Sequence, residues 1–238
     1  MSRILVLRSG SEGVPGGEAG DVDVLVTHDI RARDEGIAEA RRFEARDAIL
    51  VVSSGTTLRV LAEVGEASLV GRPFRRVLAA GDETARALRA AAAEPEVPKT
   101  PGAAGILELL GEPLTEERIL WPRAADADEE PLQTLRARGA AVSAPAVYEK
   151  KPRDVTGEPA FESFLRGAHS AVAVGSVAGL DVFLAALAAQ GVTLSPWLRW
   201  GVLGPESASA LRRRGLPPPV VPERPRMAEL VERLRLSG

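Results

Sequence analysis

The chain has 238 residues, an apolar fraction of 45%, a formal net charge of −3 and no cysteine. This length accommodates one large domain or two small ones, and the apolar fraction is ample for buried cores. The charge excludes the global basic field of nucleic-acid-binding proteins, and the lack of cysteine excludes disulfides, thiolate catalysis and cysteine-ligated metals.

The N-terminal part predicts two strands separated by a loop. Arg3 to Arg8 has the pattern of a buried strand, and Asp21 to His28 is a second strand with alternating valines. Between them, the glycine-rich segment 9–20 lacks the G-x-G-x-x-G spacing of a dinucleotide site, and Pro15 opposes a helix start. We therefore expect a surface loop there. The polar segment 30–35 is expected to be a first crossing between domains.

The rest of the chain alternates apolar runs with helical patterns, which indicates parallel, doubly wound sheets. A helix is predicted near 39–46, and then strands near 49–53, 76–80, 118–121 and 140–147, with helices near 56–63, 82–92, 103–110 and 128–138. After a second crossing in 147–154, the pattern predicts helices near 160–166, after 176, after 205 and from 227, with strands from 171 and 200.

Several stretches are written twice in the same order, at a displacement of roughly 120 residues. VLAAGDETARALR (77–89) returns as WGVLGPESASALR (200–212), with Gly81 on Gly204 and Thr84 on Ser207. The segments 49–64 and 104–110 are answered by 171–186 and 228–234. The repeats predict a duplicated α/β unit.

A further correspondence shows how the copies are threaded. RILVLRS (3–9) matches RILWPRA (118–124), so the first strand of the chain corresponds to a strand late in the middle unit. The N-terminal strands should therefore complete the C-terminal unit. We predict one domain of residues 1–29 plus 153–238, a second domain of residues 36–146 inserted in it, and a two-stranded linker of residues 30–35 and 147–152.

Candidate binding residues lie at the carboxyl ends of the predicted strands, where open parallel sheets bind ligands. Helix starts at such an edge attract carboxylate or phosphate through free N–H groups and the helix dipole, and arginines add paired donors. Taken singly, each Ser or Thr is more often an ordinary helix cap, but their recurrence in both units favours a binding role. The candidates are Arg8, Ser53, Ser54, Gly55, Thr84, Thr100, Gly102, Arg123, Ser176 and Ser207.

The usual catalytic motifs are missing from the sequence. His28 and His169 have no spacing that suits a metal site, and neither G-x-S-x-G nor G-x-x-x-x-G-K-[ST] occurs. Tyr148, the single tyrosine, lies at the second crossing. Its phenol could donate a proton to a ligand, although a lone tyrosine that closes a strand more often serves packing. We expect no metal site from these residues.

The G-x-x-[TS]-A-x-x-L pattern at Gly81 and Gly204, together with V-Y-x-x-x-P at 147–152, resembles the uroporphyrinogen-III synthase family. SSGTTLRVL and LRARGAAV also stand where that family has its own versions, so the resemblance covers the chain from Ile49 onward. It implies a cofactor-free lyase of tetrapyrrole biosynthesis. Such an enzyme removes water from linear hydroxymethylbilane and closes the macrocycle with inversion of ring D through a spiro intermediate.

The resemblance also implies roles for single residues. Tyr148 matches the family tyrosine proposed to help the hydroxyl group leave, and Thr84 and Ser207 match hydroxyl residues that face the substrate. The substrate would be a small-molecule linear tetrapyrrole with many carboxylates. We expect a cytoplasmic monomer without a nucleic-acid or membrane partner. The alternative is a catalytically silent two-domain module that binds a tetrapyrrole or another polyanion.

Overall fold

The computed structural model describes residues 3–10 and 21–237. From residue 11 onward, the predicted glycine-rich loop 9–20 lies outside the described residues. The chain forms two compact units, which are Met1–Ile30 with Lys151–Gly238 (unit 1) and Arg31–Lys150 (unit 2).

Strands and helices alternate through most of the chain. The first elements are β1 (Arg3–Ser9), β2 (Val22–Ala32), α1 (Asp34–Arg42), β3 (Ile49–Val52), α2 (Gly55–Glu63), a short 3-10 helix (Ala67–Leu69), β4 (Arg76–Ala79), α3 (Asp82–Ala90), α4 (Ala103–Leu110) and β5 (Arg118–Leu120). They are followed by β6 (Arg123–Ala124), α5 (Glu130–Ala137), β7 (Ala141–Ser143), β8 (Ala146–Pro152), α6 (Pro159–Leu165), β9 (His169–Val174), α7 (Val177–Ala189), β10 (Arg199–Val202), α8 (Pro205–Arg213) and α9 (Met227–Leu236).

Each unit is built on a parallel sheet with the same strand order. Unit 2 has the order β4-β3-β5-β7, and the strands of unit 1 follow the order β10-β9-β1-β2. The pairs β4 and β10, β3 and β9, and β5 and β1 are those that the sequence repeats match. The predicted α/β class is confirmed, and β1 completes the sheet of the C-terminal unit.

The duplication extends to single hydrogen bonds and caps. An isolated parallel bridge joins Leu78 to Glu96 in unit 2, and its counterpart joins Gly201 to Val220 in unit 1. The residues that precede α3 and α8 are both extended glycines, with φ −179 and ψ 172 at Gly81 and φ −168 and ψ 179 at Gly204. The two units therefore share one backbone plan.

Helices cover both faces of the sheet in unit 1, as a doubly wound fold requires. Alternate strand residues point to opposite faces, so Leu5 and Leu7 pack in a core with Phe161 and Phe183 of α6 and α7. The intervening strand residues, represented by Ile4, pack in a second core with α9. The burial of each such side chain stabilises the folded state by about 1.5–3 kcal/mol.

Unit 2 has an equivalent core of its own. Ile49 and Val51 of β3 pack with Ile106 of α4 and with Leu132 and Leu135 of α5. Since α4 corresponds to α9 in the repeat, the same face of the duplicated sheet is covered by the same helix in both units.

Two predicted elements are placed wrongly. The helix expected near 39–46 is α1, which begins earlier because β2 continues to Ala32 and because Asp34 and Glu35 suit the positive end of a helix dipole. The strand expected over 140–147 is divided into β7 and β8.

The chain passes between the units inside β2 and inside β8. In unit 1, the backbone N–H of Arg153 donates to the carbonyl oxygen of Thr27 at 3.0 Å. In unit 2, the backbone N–H of Arg33 donates to the carbonyl oxygen of Val147 at 2.9 Å. Within each unit, the two segments that lead to the other unit are therefore held side by side.

Candidate functional site

The carboxyl end of β3 presents two serines. Ser53 is exposed, and Ser54 is the N-cap of α2, with a side-chain oxygen that accepts from the N–H of Thr56 at 3.1 Å. An extended serine between a buried strand and a helix satisfies one of the N–H groups that a helix start leaves unpaired. The first turn of α2, which begins at Gly55, carries no acidic residue. The positive end of this helix dipole is therefore available to an anion.

The carboxyl end of β4 leads into α3 through Gly81. Thr84 lies in the first turn of α3 and is only 7% exposed. The same turn carries Asp82 and Glu83, which are exposed and oppose the binding of an anion. The group suited to a ligand at this position is therefore the hydroxyl of Thr84, because the two carboxylates offset the positive end of the helix dipole.

A tight loop brings Thr100 and Gly102 to the same end of β4. The N–H of Gly102 donates to the carbonyl oxygen of Ala80 at 2.7 Å, and Gly102 has φ 101, a left-handed conformation that favours glycine. A Cβ at Gly105 would lie 1.7 Å from the carbonyl oxygen of Thr100. The loop therefore closes on α4 only because residue 105 has no side chain.

Trp121 contacts one of the candidate serines. It follows β5, its side chain is buried, and its Nε1–H donates to Oγ of Ser53 at 3.1 Å. The sequence reasoning did not select this residue. The sequence does distinguish this residue, because the repeat has tryptophan at the end of RILW (118–121) and valine at the end of RILV (3–6).

Tyr148 lies beyond the carboxyl edge of the unit 2 sheet. It belongs to β8 and pairs with Ala124 of β6, and β6 begins shortly after the end of β5. This is the end of the sheet that also carries Ser53, Ser54 and Thr84. Tyr148 is 4% exposed, and its hydroxyl forms no hydrogen bond with another described residue. A phenol needed only for packing would more often have a partner.

The side chain of Arg123 is held by nearby residues of unit 2. It is 5% exposed, one guanidinium nitrogen donates to the carbonyl oxygen of Asp128 at 2.7 Å, and another lies 3.3 Å from the carboxylate of Glu129. These contacts hold the turn that leads into α5. They favour a structural role for Arg123 over direct contact with a ligand.

The carboxyl edge of unit 1 repeats the arrangement of hydroxyl groups. Ser176 is the N-cap of α7 and accepts from the N–H of Gly179 at 3.1 Å, and the first turn of α7 has no acidic residue. Ser207 is half-buried in the first turn of α8, which follows β10. Within unit 1, Ser176 and Ser207 thus occupy positions equivalent to those of Ser54 and Thr84 within unit 2.

Arg8, near the end of β1, is half-buried beside a buried polar pair. The hydroxyl of Thr27 donates to the carbonyl oxygen of Arg8 at 3.0 Å and lies 3.1 Å from Nδ1 of His28. Since a threonine hydroxyl has one proton, Nδ1 of His28 must be the donor in the second contact. The geometry thus places a proton on Nδ1 of His28, which is not among the candidate site residues.

Among residues 3–10 and 21–237, no cluster of histidine and carboxylate side chains could hold a metal ion. Within those same ranges, no helix has the length and apolar character needed to cross a membrane. Hydroxyl groups, one phenol and helix N-termini make up the candidate chemistry. The fold and site thus define a duplicated α/β protein whose parallel sheets end in helix starts, of which those of α2 and α7 have no acidic residue in the first turn.

A family model described as uroporphyrinogen-III synthase HemD matches residues 16–232. The chain belongs to the uroporphyrinogen-III synthase family, and the resemblance seen in the sequence is confirmed. None of the curated proteins matches this sequence.

Solved structures share the fold at low sequence identity. The uroporphyrinogen-III synthetase of Helicobacter pylori is similar, with a TM-score of 0.67 and 15% identity over 100% of this chain and 99% of that one. A mutant uroporphyrinogen III synthase of the extremely thermophilic bacterium Thermus thermophilus gives a TM-score of 0.60 and 19% identity over 100% of this chain and 98% of that one.

Proposed function

We propose that this protein cyclises hydroxymethylbilane to uroporphyrinogen III, with loss of water and inversion of ring D. The family match over residues 16–232 carries this proposal. The arrangement of hydroxyl groups and helix starts at the carboxyl edges supports it, because the substrate carries many carboxylates.

Tyr148 is the proposed proton donor. The substrate hydroxyl leaves as water when the phenol transfers a proton to it, and an electrophilic methylene remains. The substituted carbon of ring D forms a bond to this methylene and gives the spiro intermediate, after which the original bond between that carbon and its bridging methylene breaks. The released methylene bonds to the free carbon of ring D, which loses a proton and so restores the phenol, and the substrate has lost one water overall. Support comes from the buried position of Tyr148 and from a hydroxyl without a described partner. General-acid help of this kind contributes about 10²–10⁴-fold in rate.

Orientation is the second proposed contribution. Hydroxymethylbilane closes unaided to the isomer without inversion, so the protein must hold ring D for attack at the crowded carbon. The starts of α2 and α7, which lack acidic residues in their first turns, are suited to the substrate carboxylates. Ser53, Ser54, Gly55, Thr84, Thr100, Gly102, Ser176, Ser207 and Arg8 are the proposed binding residues.

The finer properties are also proposals. The protein acts as a cytoplasmic monomer, without a cofactor and without a nucleic-acid partner. The net charge of −3 supports the last point, since nucleic-acid-binding surfaces are rich in positive charge.

The test is the isomer ratio of the product. Purified protein is incubated with freshly made hydroxymethylbilane, and the uroporphyrinogens are oxidised and separated by chromatography. We expect isomer III in large excess over isomer I. Isomer I alone, formed at the rate of the protein-free control, would refute the enzymatic function. Tight binding of uroporphyrin III in that case would favour the catalytically silent module.

A further inference from the structure

The contact between Trp121 and Ser53 joins a buried side chain to an exposed one. Trp121 is 4% exposed and belongs to the apolar core with Ile49 and Val51, so its ring has little freedom to move. Its backbone N–H also donates to the carbonyl oxygen of Ser143 at 2.9 Å. The indole is therefore a fixed donor, and Ser53 is its exposed partner.

The direction of this hydrogen bond determines what Ser53 offers to a ligand. An indole N–H can only donate, so Oγ of Ser53 is the acceptor at 3.1 Å. The serine proton is not used in this contact. The hydroxyl of this exposed serine can therefore still donate, which is the polarity that a carboxylate ligand requires.

The repeated unit shows that the fold does not require this pair. In unit 1, Val6 stands at the position of Trp121, and Gly175 stands at the position of Ser53. A Cβ at Gly175 would lie 2.8 Å from the carbonyl oxygen of Leu7. The same strand–turn–helix connection is thus built in unit 1 without an indole and without a hydroxyl, so the pair in unit 2 is an addition to the shared plan.

We infer that Trp121 is a positioning residue that orients the Ser53 hydroxyl to donate a hydrogen bond to a carboxylate of the substrate. This inference rests on the proposed function, because it takes the carboxyl edge of unit 2 as the substrate site. Trp121 acts through Ser53 and does not itself touch the reacting atoms.

A double-mutant cycle tests the inference. Ser53→Ala, Trp121→Phe and the double variant are compared with the parent for KM and kcat with hydroxymethylbilane and for the Kd of uroporphyrin III. We expect KM to rise about tenfold in Ser53→Ala and about threefold in Trp121→Phe, with small changes in kcat, because a hydrogen bond to a charged group is lost or loosened. In the double variant, KM should equal that of Ser53→Ala alone.

The cycle separates positioning from packing. If Trp121→Phe raises KM by the same factor in the parent and in the Ser53→Ala variant, Trp121 does not act through the hydroxyl and the inference is overturned. Ser53→Thr, which keeps the hydroxyl, should retain the sensitivity to Trp121→Phe. Trp200→Phe is the matched control for the loss of a buried indole, since Trp200 is 1% exposed in the core of unit 1, and its KM should stay at the parent value.

Failure of the proposed function gives a different result. If the parent protein forms no isomer III, the cyclase function fails, and the cycle is read from the Kd of uroporphyrin III instead. Non-additive effects on that Kd would still support the orienting role of Trp121, and additive effects would overturn it.

Discussion

Nε2 of His169 lies 2.8 Å from the carboxylate of Asp23, at the start of the parallel strands of unit 1. Asp23 also accepts from Arg3 at 2.7 Å. The imidazole is fully buried, its ring centroid lies 5.9 Å from that of Phe164, and its Nδ1 has no hydrogen-bond partner among the described residues. Burial, together with a smaller effect of the positive charge of Arg3, lowers the pKa of His169 below its ordinary value and outweighs the opposing hydrogen bond and charge of Asp23.

This lowered pKa predicts a loss of stability on mild acidification. The unfolded chain, in which histidine titrates near about 6.5, binds the proton more tightly than the native protein does. His169 should therefore leave the free energy of unfolding unchanged above about pH 6.5 and reduce it as the pH falls below that value. Urea denaturation at several pH values measures the effect, and His169→Gln should remove this part of the pH dependence.

The control for the pH experiment is His28→Gln, because the sequence contains two histidines and this variant keeps His169. The contribution of His169 should persist in it. If His169→Gln loses as much stability as the parent on acidification from about pH 7.5 to about pH 5.5, the buried imidazole is not responsible.

Tyr148→Phe should lower the formation of isomer III by about tenfold or more, because the proposed proton donor is removed while the ring stays in place. Its thermal unfolding should match that of the parent, since the hydroxyl has no described partner to lose. The rate of isomer III formation under saturating substrate is the measurement. Parental activity in a folded Tyr148→Phe protein would remove Tyr148 from the mechanism.

The sequence predicts that Arg8→Ala and Arg123→Ala both weaken substrate binding. The contacts of Arg123 predict a different effect for its variant. Arg8→Ala should raise KM more than it lowers kcat. Arg123→Ala should instead reduce the free energy of unfolding by about 1–3 kcal/mol, because the carbonyl oxygen of Asp128 loses its donor. Kinetics and chemical denaturation of both variants test this. A fully stable Arg123→Ala with a raised KM would restore the arginine to the binding site.

The sequence predicted those elements of the fold that lie in its repeated stretches. The alignment of Gly81 with Gly204 predicts that α3 and α8 occupy equivalent places, and both helices follow equivalent strands. α1 lies outside the stretches that the sequence repeats, and the pattern placed its start too late. Its first turn depends on close packing, since a Cβ at Gly36 would lie 2.0 Å from the carbonyl oxygen of Ala146, a residue far away in the sequence.

The candidate site was less accessible to sequence reasoning. Hydroxyl residues at helix starts are visible in a sequence, and Ser54 and Ser176 are indeed N-caps. Whether a side chain is already engaged depends on tertiary contacts, so neither the contacts of Arg123 with Asp128 and Glu129 nor that of Trp121 with Ser53 can be read from the sequence. From the sequence, a tryptophan after a strand is interpreted as a core residue, and only the structure shows that the N–H of Trp121 donates to Ser53.

Unit 2 should fold on its own, and we propose that it is an independent domain. It has its own four-stranded parallel sheet and its own apolar core, and Arg33 and Val147 hold its two chain ends together. A fragment of residues 31–150 should therefore unfold cooperatively and show the circular dichroism of an α/β protein. The matched fragment is unit 1, with Ile30 joined to Lys151 by a short glycine–serine linker, since Arg153 pairs with Thr27 nearby. A disordered 31–150 fragment would show that this unit depends on the rest of the chain to fold.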